Sequence, residues 1–394
     1  MNNIFGKYLK GDKIIWIAIF LLAIFSLLAV YSSSGTLAYR YQSGNTMHYI
    51  LKHAAFLSIG LIIIFIVHLL PIKYFSGFAQ MFIYITIPLL LITLLMGVSL
   101  NQATRWFTVP GTGITFQTSD FAKLALIMYV AKLLSQKQDK IRDFKKGFIP
   151  VVVPIIIVCM LILPANFSTA AILFTTCMML LFIGRVKIRH LMALVGAGLI
   201  AVTLFILIAL AIGKEGRIET WKNRIENYAS GESEDNFQAE QAKIAIATGG
   251  IKGKGPGNST QRYFLPHPYS DFIYAIVAEE YGLAGAVILL FMYLYLLYRT
   301  GVIVRKSERT FPAFLAVGLS MMIVFQAMIN MAVAVNLLPV TGQTLPLVSM
   351  GGSSLLFTST SLGMILSVSR TAQKNESLIE EEEENEQEEG EDNN

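Results

Sequence analysis

Lys13-Ile-Ile-Trp-Ile-Ala-Ile-Phe-Leu-Leu-Ala-Ile-Phe-Ser-Leu-Leu-Ala-Val-Tyr31 carries no charge after its first residue. A helix needs about 17 to 25 predominantly apolar residues to cross the hydrocarbon core of a bilayer. Ile14 to Tyr31 has that length, is too long for a signal-peptide core and has no convincing small-residue cleavage site. It is expected to stay as an anchor. Similar runs follow at Ile50 to Leu70, Phe75 to Leu95, Ile149 to Leu163, Thr169 to Gly184, Leu191 to Ile212, Phe272 to Tyr298, Ala313 to Val335 and Ser353 to Val368. A shorter run, Phe121 to Leu134, is counted because it must return the chain across the bilayer. The expectation is an all-α polytopic membrane protein with about ten transmembrane helices and no internal repeat.

Composition agrees. The 394 residues are 54% hydrophobic and 14% charged, with a mean hydropathy of +0.59, whereas soluble domains average about 25% charged. Disordered, collagen-like and ordinary cytosolic proteins are excluded. The net charge of +5 conceals two blocks. Glu376 to Asp392 holds 11 acidic residues and no basic one, and the remainder of the chain stands at +16. Nucleic-acid binding does not explain that excess, because its placement follows the membrane. With the N-terminus inside, 19 Lys and Arg fall in cytoplasmic segments and three, Arg40, Lys52 and Arg105, in short outside loops. By the positive-inside rule both termini are cytoplasmic.

The division expected is a cytoplasmic N-terminus (1–13), a membrane domain (14–370) and an acidic, disordered cytoplasmic tail (371–394). A long extracytoplasmic loop (213–271) precedes span eight. Within it Ile218, Trp221, Ile225 and Tyr228 have helical spacing and suit a helix lying on the membrane. Cys159 and Cys177 lie inside spans and are expected to pack as small apolar residues. The five histidines are scattered, so no metal-ligand spacing is present.

Ionisable groups at membrane depth are costly and therefore functional candidates. Outside the tail and the water-exposed loops the acidic ones are Asp120, Asp271, Glu279 and Glu280. Asp120 and Lys123 are three apart and can pair on one helix. Asp271 closes the long loop in Leu265-Pro-His-Pro-Tyr-Ser-Asp-Phe272; it or Ser270 could cap the following helix, or it could act as a base at the outer interface. Glu279 lies eight residues on, on roughly the same helical face, and one of the two glutamates is expected to face a polar cavity. Upstream, Gly249-Gly-Ile-Lys-Gly-Lys-Gly-Pro-Gly257 could present backbone N–H groups and lysines to a phosphate, although it is not a Walker loop, or could be a flexible loop. Asn330, Asn336, Thr341, Gln343, Ser349, Ser353 and Ser354 form a second polar cluster, and irregular backbone at that depth must line a cavity or be buried in protein.

These residues resemble the SEDS family (shape, elongation, division and sporulation). The resemblance is carried by Tyr31-Ser-Ser-Ser34, Arg105-Trp106, Phe116-Gln-Thr-Ser-Asp-Phe-Ala-Lys123, the Gly249 to Gly257 loop with Asn258-Ser259, Ser270 to Gly282, and Asn336 to Ser354. It spans about residues 14 to 370, and Asn258-Ser259 favours the division branch. It implies a peptidoglycan glycosyltransferase that polymerises lipid II, the undecaprenyl-diphosphate-linked disaccharide peptide, at the outer face of the cytoplasmic membrane, at the division septum. Its implied partners are a class B penicillin-binding transpeptidase and other divisome proteins. Asp271 falls on the family's essential aspartate. Arg105, Lys123, Lys252, Lys254, Gly253, Gly255, Ser353 and Ser354 suit substrate binding, with Asp120, Glu279 and Glu280 in support. The resemblance fixes no cofactor; a divalent cation (Mg or Mn) could assist the diphosphate. Departures are Leu163-Pro-Ala-Asn166 in place of an acidic motif, Thr118 for a proline, Asp120 for a glutamate, and a missing Glu and His near His267. Two other functions fit the same resemblance less well: a lipid II flippase and a non-catalytic scaffold that activates a transpeptidase.

Overall fold

A computed structural model describes residues 9–35, 37, 45–96, 98–100, 103–108, 115–211 and 234–392. Its helices are α1 (Lys13–Ser33), α2 (Thr46–Leu69), α3 (Ile72–Met96), α4 (Thr118–Gln136), α5 (Ile149–Ile162), α6 (Phe167–Ile183), α7 (Ile188–Ala211), α8 (Glu234–Gly249), α9 (Ile273–Arg305), α10 (Thr310–Ala334) and α11 (Gly352–Asp392). Each of the ten apolar runs falls on one of these, with α8 as the additional element. Among the described residues seven helices are long and apolar enough to cross a membrane, α4 not being one of them; α6 and Ile188–Leu204 of α7 are shorter apolar helices. The chain is a multi-pass helical membrane protein. The interfacial helix expected around Trp221 lies outside the described residues.

Two elements depart from the expectation. A three-stranded antiparallel sheet, β1 (Val98–Leu100), β2 (Ala103–Thr108) and β3 (Thr115–Gln117), joins α3 to α4. Trp106 pairs with Gln117 and Phe107 with Phe116. Thr, Trp and Phe favour a pleated surface, a signal that the search for apolar spans passes over. The acidic tail is also not irregular, because α11 continues through Asp392. Glutamate is a good helix former, and extending an existing helix avoids the nucleation cost.

The arrangement explains which helices could carry charge. α4 packs against α3, α5, α6, α10 and α11 and is buried along most of its length. Its surroundings are protein, so Asp120 and Lys123 meet polar partners where lipid would offer none. α1, α2 and α3 instead leave Ile17, Ile62 and Tyr84 exposed. Contiguous apolar exposure of this kind is foreign to soluble monomers and suits lipid. At the predicted inner end, Asp12 caps α1 by accepting from Ile14 N (2.9 Å) and Ile15 N (3.1 Å). Its carboxylate also pairs with Arg299, and its own N–H donates to Ser369 Oγ (2.7 Å). One buried aspartate, through its carboxylate and its own N–H, thus ties α1, α9 and α11 together.

Candidate functional site

The polar interior has two parts, and the first is the break in α9. Gly282 lies inside that helix at φ +67°, ψ −168°. In an unbroken helix Leu283 and Ala284 would donate to the carbonyls of Glu279 and Glu280. Here Leu283 N donates to Gly250 O (2.8 Å) and Ala284 N to Ile251 O (3.3 Å). The two freed carbonyls accept from Lys254 N (3.0 Å) and Gly255 N (2.9 Å). The glycine loop is therefore laced into the helix break by four main-chain bonds. Glycine is required on both sides of this contact: a Cβ on Gly253 (φ +80°) would lie 2.1 Å from Glu280 O, and one on Gly282 2.3 Å from Ile251 O.

This changes the expectation for the loop. The N–H groups of Lys254 and Gly255 are committed to α9 and do not form a phosphate cradle. Lys254 Nζ pairs with Glu279 Oε1 at 2.5 Å and donates to Thr260 Oγ1 at 3.0 Å. Glu279 is fully buried and also accepts from Thr260 N, Thr260 Oγ1, Ser259 Oγ and Gln261 N. Glu280, also buried, accepts from Ser32 Oγ and Ser259 N. Both glutamates hold the loop. Arg262, the third basic residue of the loop, donates from Nη1 to Ser32 O (3.2 Å) and Gly257 O (2.9 Å). Lys252 is exposed beside this assembly.

Asp271 sits before the first turn of α9, whose N-cap is Phe272 without a side-chain cap bond. The capping alternative therefore fails for both Ser270 and Asp271, and the helical-face relation to Glu279 does not reach back to Asp271. The backbone here is clamped. Asn330 Nδ2 on α10 donates to Asp271 O (2.8 Å) and to Gln343 O (2.7 Å). Ser349 Oγ donates to Ser270 O (2.6 Å), and Met350 N to Tyr269 O (2.9 Å). Gln343 Nε2 in turn donates to Thr169 Oγ1 (2.9 Å), beside Asn166, which caps α6 through Thr169 N (3.2 Å). The half-buried Asp271 carboxylate accepts from Ser270 Oγ (2.8 Å) and has no cation partner among the described residues. The other buried aspartates differ: Asp12 is paired with Arg299 and Asp120 with Lys123.

The second part is deeper. Lys123 Nζ lies 2.8 Å from Asp120 Oδ1 and 2.8 Å from Gln326 Oε1, and all three side chains are buried. Gln326 Nε2 donates to Thr344 O (2.9 Å), and Thr344 Oγ1 meets Ser354 Oγ (3.3 Å). Asp120, Lys123, Ser354 and Gln326, the single glutamine of an apolar run, line a cavity of about 30 Å³. Ser353 Oγ accepts from Gln117 N (3.1 Å), linking β3 to α11. Arg105 belongs to β2, but its side chain is outside the described residues. Among the described residues no three His, Cys, Asp or Glu side chains converge to hold a metal, and no step below passes through one.

The fold is that of a multi-pass helical membrane protein, with a clamped aspartate before the first turn of α9 that has no cation partner among the described residues. The family model described as "cell cycle protein" (FtsW, RodA, SpoVE) matches residues 12–374, and the chain belongs to that family. It is 34% identical over 369 residues to stage V sporulation protein E of Bacillus subtilis, covering 92% of this chain and 98% of that one. It is 32% identical over 363 residues to the probable peptidoglycan glycosyltransferase FtsW of Coxiella burnetii, covering 90% and 95%. Among solved structures, a chain from a peptidoglycan synthase complex that coordinates polymerization and crosslinking matches with a TM-score of 0.68 at 26% identity, covering 92% and 98%.

Proposed function

We propose that this chain is a peptidoglycan glycosyltransferase that polymerises lipid II at the outer face of the cytoplasmic membrane during cell division. In this reading ten helices span the bilayer with both termini inside, and Asp271 stands at the outer end of α9. It acts with a class B penicillin-binding transpeptidase at the septum; the likeness to a chain of a synthase complex supports a partner of that kind.

The chemistry needs few groups. An acceptor sugar hydroxyl attacks the anomeric carbon of the donor. The bond from that carbon to the diphosphate breaks, and the diphosphate leaves with the electron pair. It is a good leaving group once its charge is met by cations, so no general acid is required. The hydroxyl proton goes to Asp271, a contribution of about 10²- to 10⁴-fold for a positioned base. Arg105 and Lys252 are the proposed cations. Lys254 acts through the loop, since Glu279 already holds it, and Lys123, buried and held by Asp120 and Gln326, acts by fixing α4 against α10.

The observation that carries this reading is the unpaired Asp271 carboxylate on a backbone fixed by Asn330 and Ser349. The test is glycan synthesis from lipid II by purified protein. Retention of polymerisation by Asp271→Asn would refute the assignment.

A further inference from the structure

A second polar concavity lies at the opposite end of the helices from Asp271. It measures about 850 Å³ and is bounded by the start of α3, the end of α4, the α9–α10 turn and the part of α11 near Arg370. Three cations line it, Lys73, Arg309 and Arg370, against one carboxylate, Glu308. Among the described residues none of the three cations has a carboxylate partner. Arg370 bonds only to neutral carbonyls, Leu69 O (2.9 Å) and Leu70 O (3.4 Å). Nearby, Lys306 pairs with Glu376 (2.5 Å).

The positive-inside rule accounts for basic residues on this side. It does not account for their convergence on one ligand-sized concavity that contains a single acid. Hydroxyl donors stand beside them, with Ser135 Oγ and Thr310 Oγ1 in mutual contact at 2.6 Å. The apolar side chains of Phe311 and Val368 complete the lining. Cations over hydroxyls, at the headgroup level of the cytoplasmic leaflet, with apolar walls below, match a phosphate ester on a hydrocarbon stem. The volume falls within the range of small-ligand sites.

We propose that this concavity binds a phosphate anion, supplied by the headgroup of an anionic phospholipid of the inner leaflet. Lys73 and Arg309 neutralise the phosphate, and Arg370 adds its charge while securing the end of α2. The proposal rests on the orientation given above and is independent of the glycosyltransferase chemistry.

The test uses the full chain in detergent micelles, where both ends of the molecule are accessible whatever its orientation. Binding of a fluorescent phosphatidylglycerol is measured for the wild type and for K73Q/R309Q, with phosphatidylcholine as the uncharged comparison. One Lys or Arg near an anionic lipid surface is worth about fivefold in affinity, so loss of two predicts about thirtyfold weaker binding. Both positions are exposed, and K73R/R309K, which keeps the charges, is expected to bind like the wild type. Competition by millimolar inorganic phosphate would support the anion site and assign it to free phosphate; failure to compete supports the lipid. Equal phosphatidylglycerol binding by the wild type and K73Q/R309Q, or no preference over phosphatidylcholine, overturns the proposal.

Discussion

Lys254 and Glu279 should be coupled strongly, and the coupling can be measured. Glu279 is fully buried, and its two oxygens accept from Lys254 Nζ, Thr260 N, Thr260 Oγ1, Ser259 Oγ and Gln261 N. Lys254→Met leaves that carboxylate buried without its cation. Glu279→Gln keeps the shape but turns one carboxylate oxygen into an amide donor facing N–H or O–H donors. Breaking a buried pair from either side costs about 3–5 kcal/mol; because the Lys254 side chain is 27% exposed, the low end of that range, about 3 kcal/mol, is expected for each single variant. The double variant removes both charges together, so its cost should fall short of the sum by about 1.5–3 kcal/mol. The assay is unfolding free energy by SDS titration in mixed micelles, with the four proteins of the cycle measured side by side. Additive losses, with no coupling term, would refute the claim that this pair holds the glycine loop in the helix break.

Four further outcomes follow from the same contacts. Lys123→Met strands Asp120 at 4% exposure and should cost about 3–5 kcal/mol in the same titration, while K123M/D120N recovers much of it. Gly253→Ala meets Glu280 O at 2.1 Å in a left-handed conformation; the conformation alone costs about 1–2 kcal/mol, and hydrogen exchange should show the loop opening from α9. Asn330→Ala leaves the carbonyls of Asp271 and Gln343 without their shared donor. It should cost about 1–3 kcal/mol and lower kcat for polymerisation by at least tenfold with KM little changed, as misplacement of a base would. Ser349→Ala, which removes the donor to Ser270 O, should act in the same direction, and Ser349→Thr should restore part of the rate.

Much of this was legible in the sequence, for reasons that differ by element. The apolar helices were legible because a bilayer demands length and apolarity together. The short run Phe121 to Leu134 lies on a helix, α4, that begins at Thr118, where surrounding protein lets polar residues enter its first turn. The Asp120–Lys123 pair followed from spacing. The glycine loop was located correctly, but its role was not, since Gly282 gave no local sign that it breaks α9 and frees two carbonyls. Gln326 could have been found as the one glutamine in an apolar run. The contact of Arg262 with Ser32 could not, because the two meet across 230 residues of chain and no local pattern records that. The β-sheet was missed because its strands are short and lie between stronger signals.

The central claim is that the Asp271 carboxylate removes the proton from the attacking hydroxyl. Its most direct test is polymerisation of lipid II by the purified protein with its transpeptidase partner, comparing the wild type with Asp271→Asn at equal substrate occupancy. The account predicts that glycan synthesis falls at least a hundredfold while lipid II binding and unfolding free energy stay near those of the wild type. Glycan strands made by Asp271→Asn at the wild-type rate would contradict it.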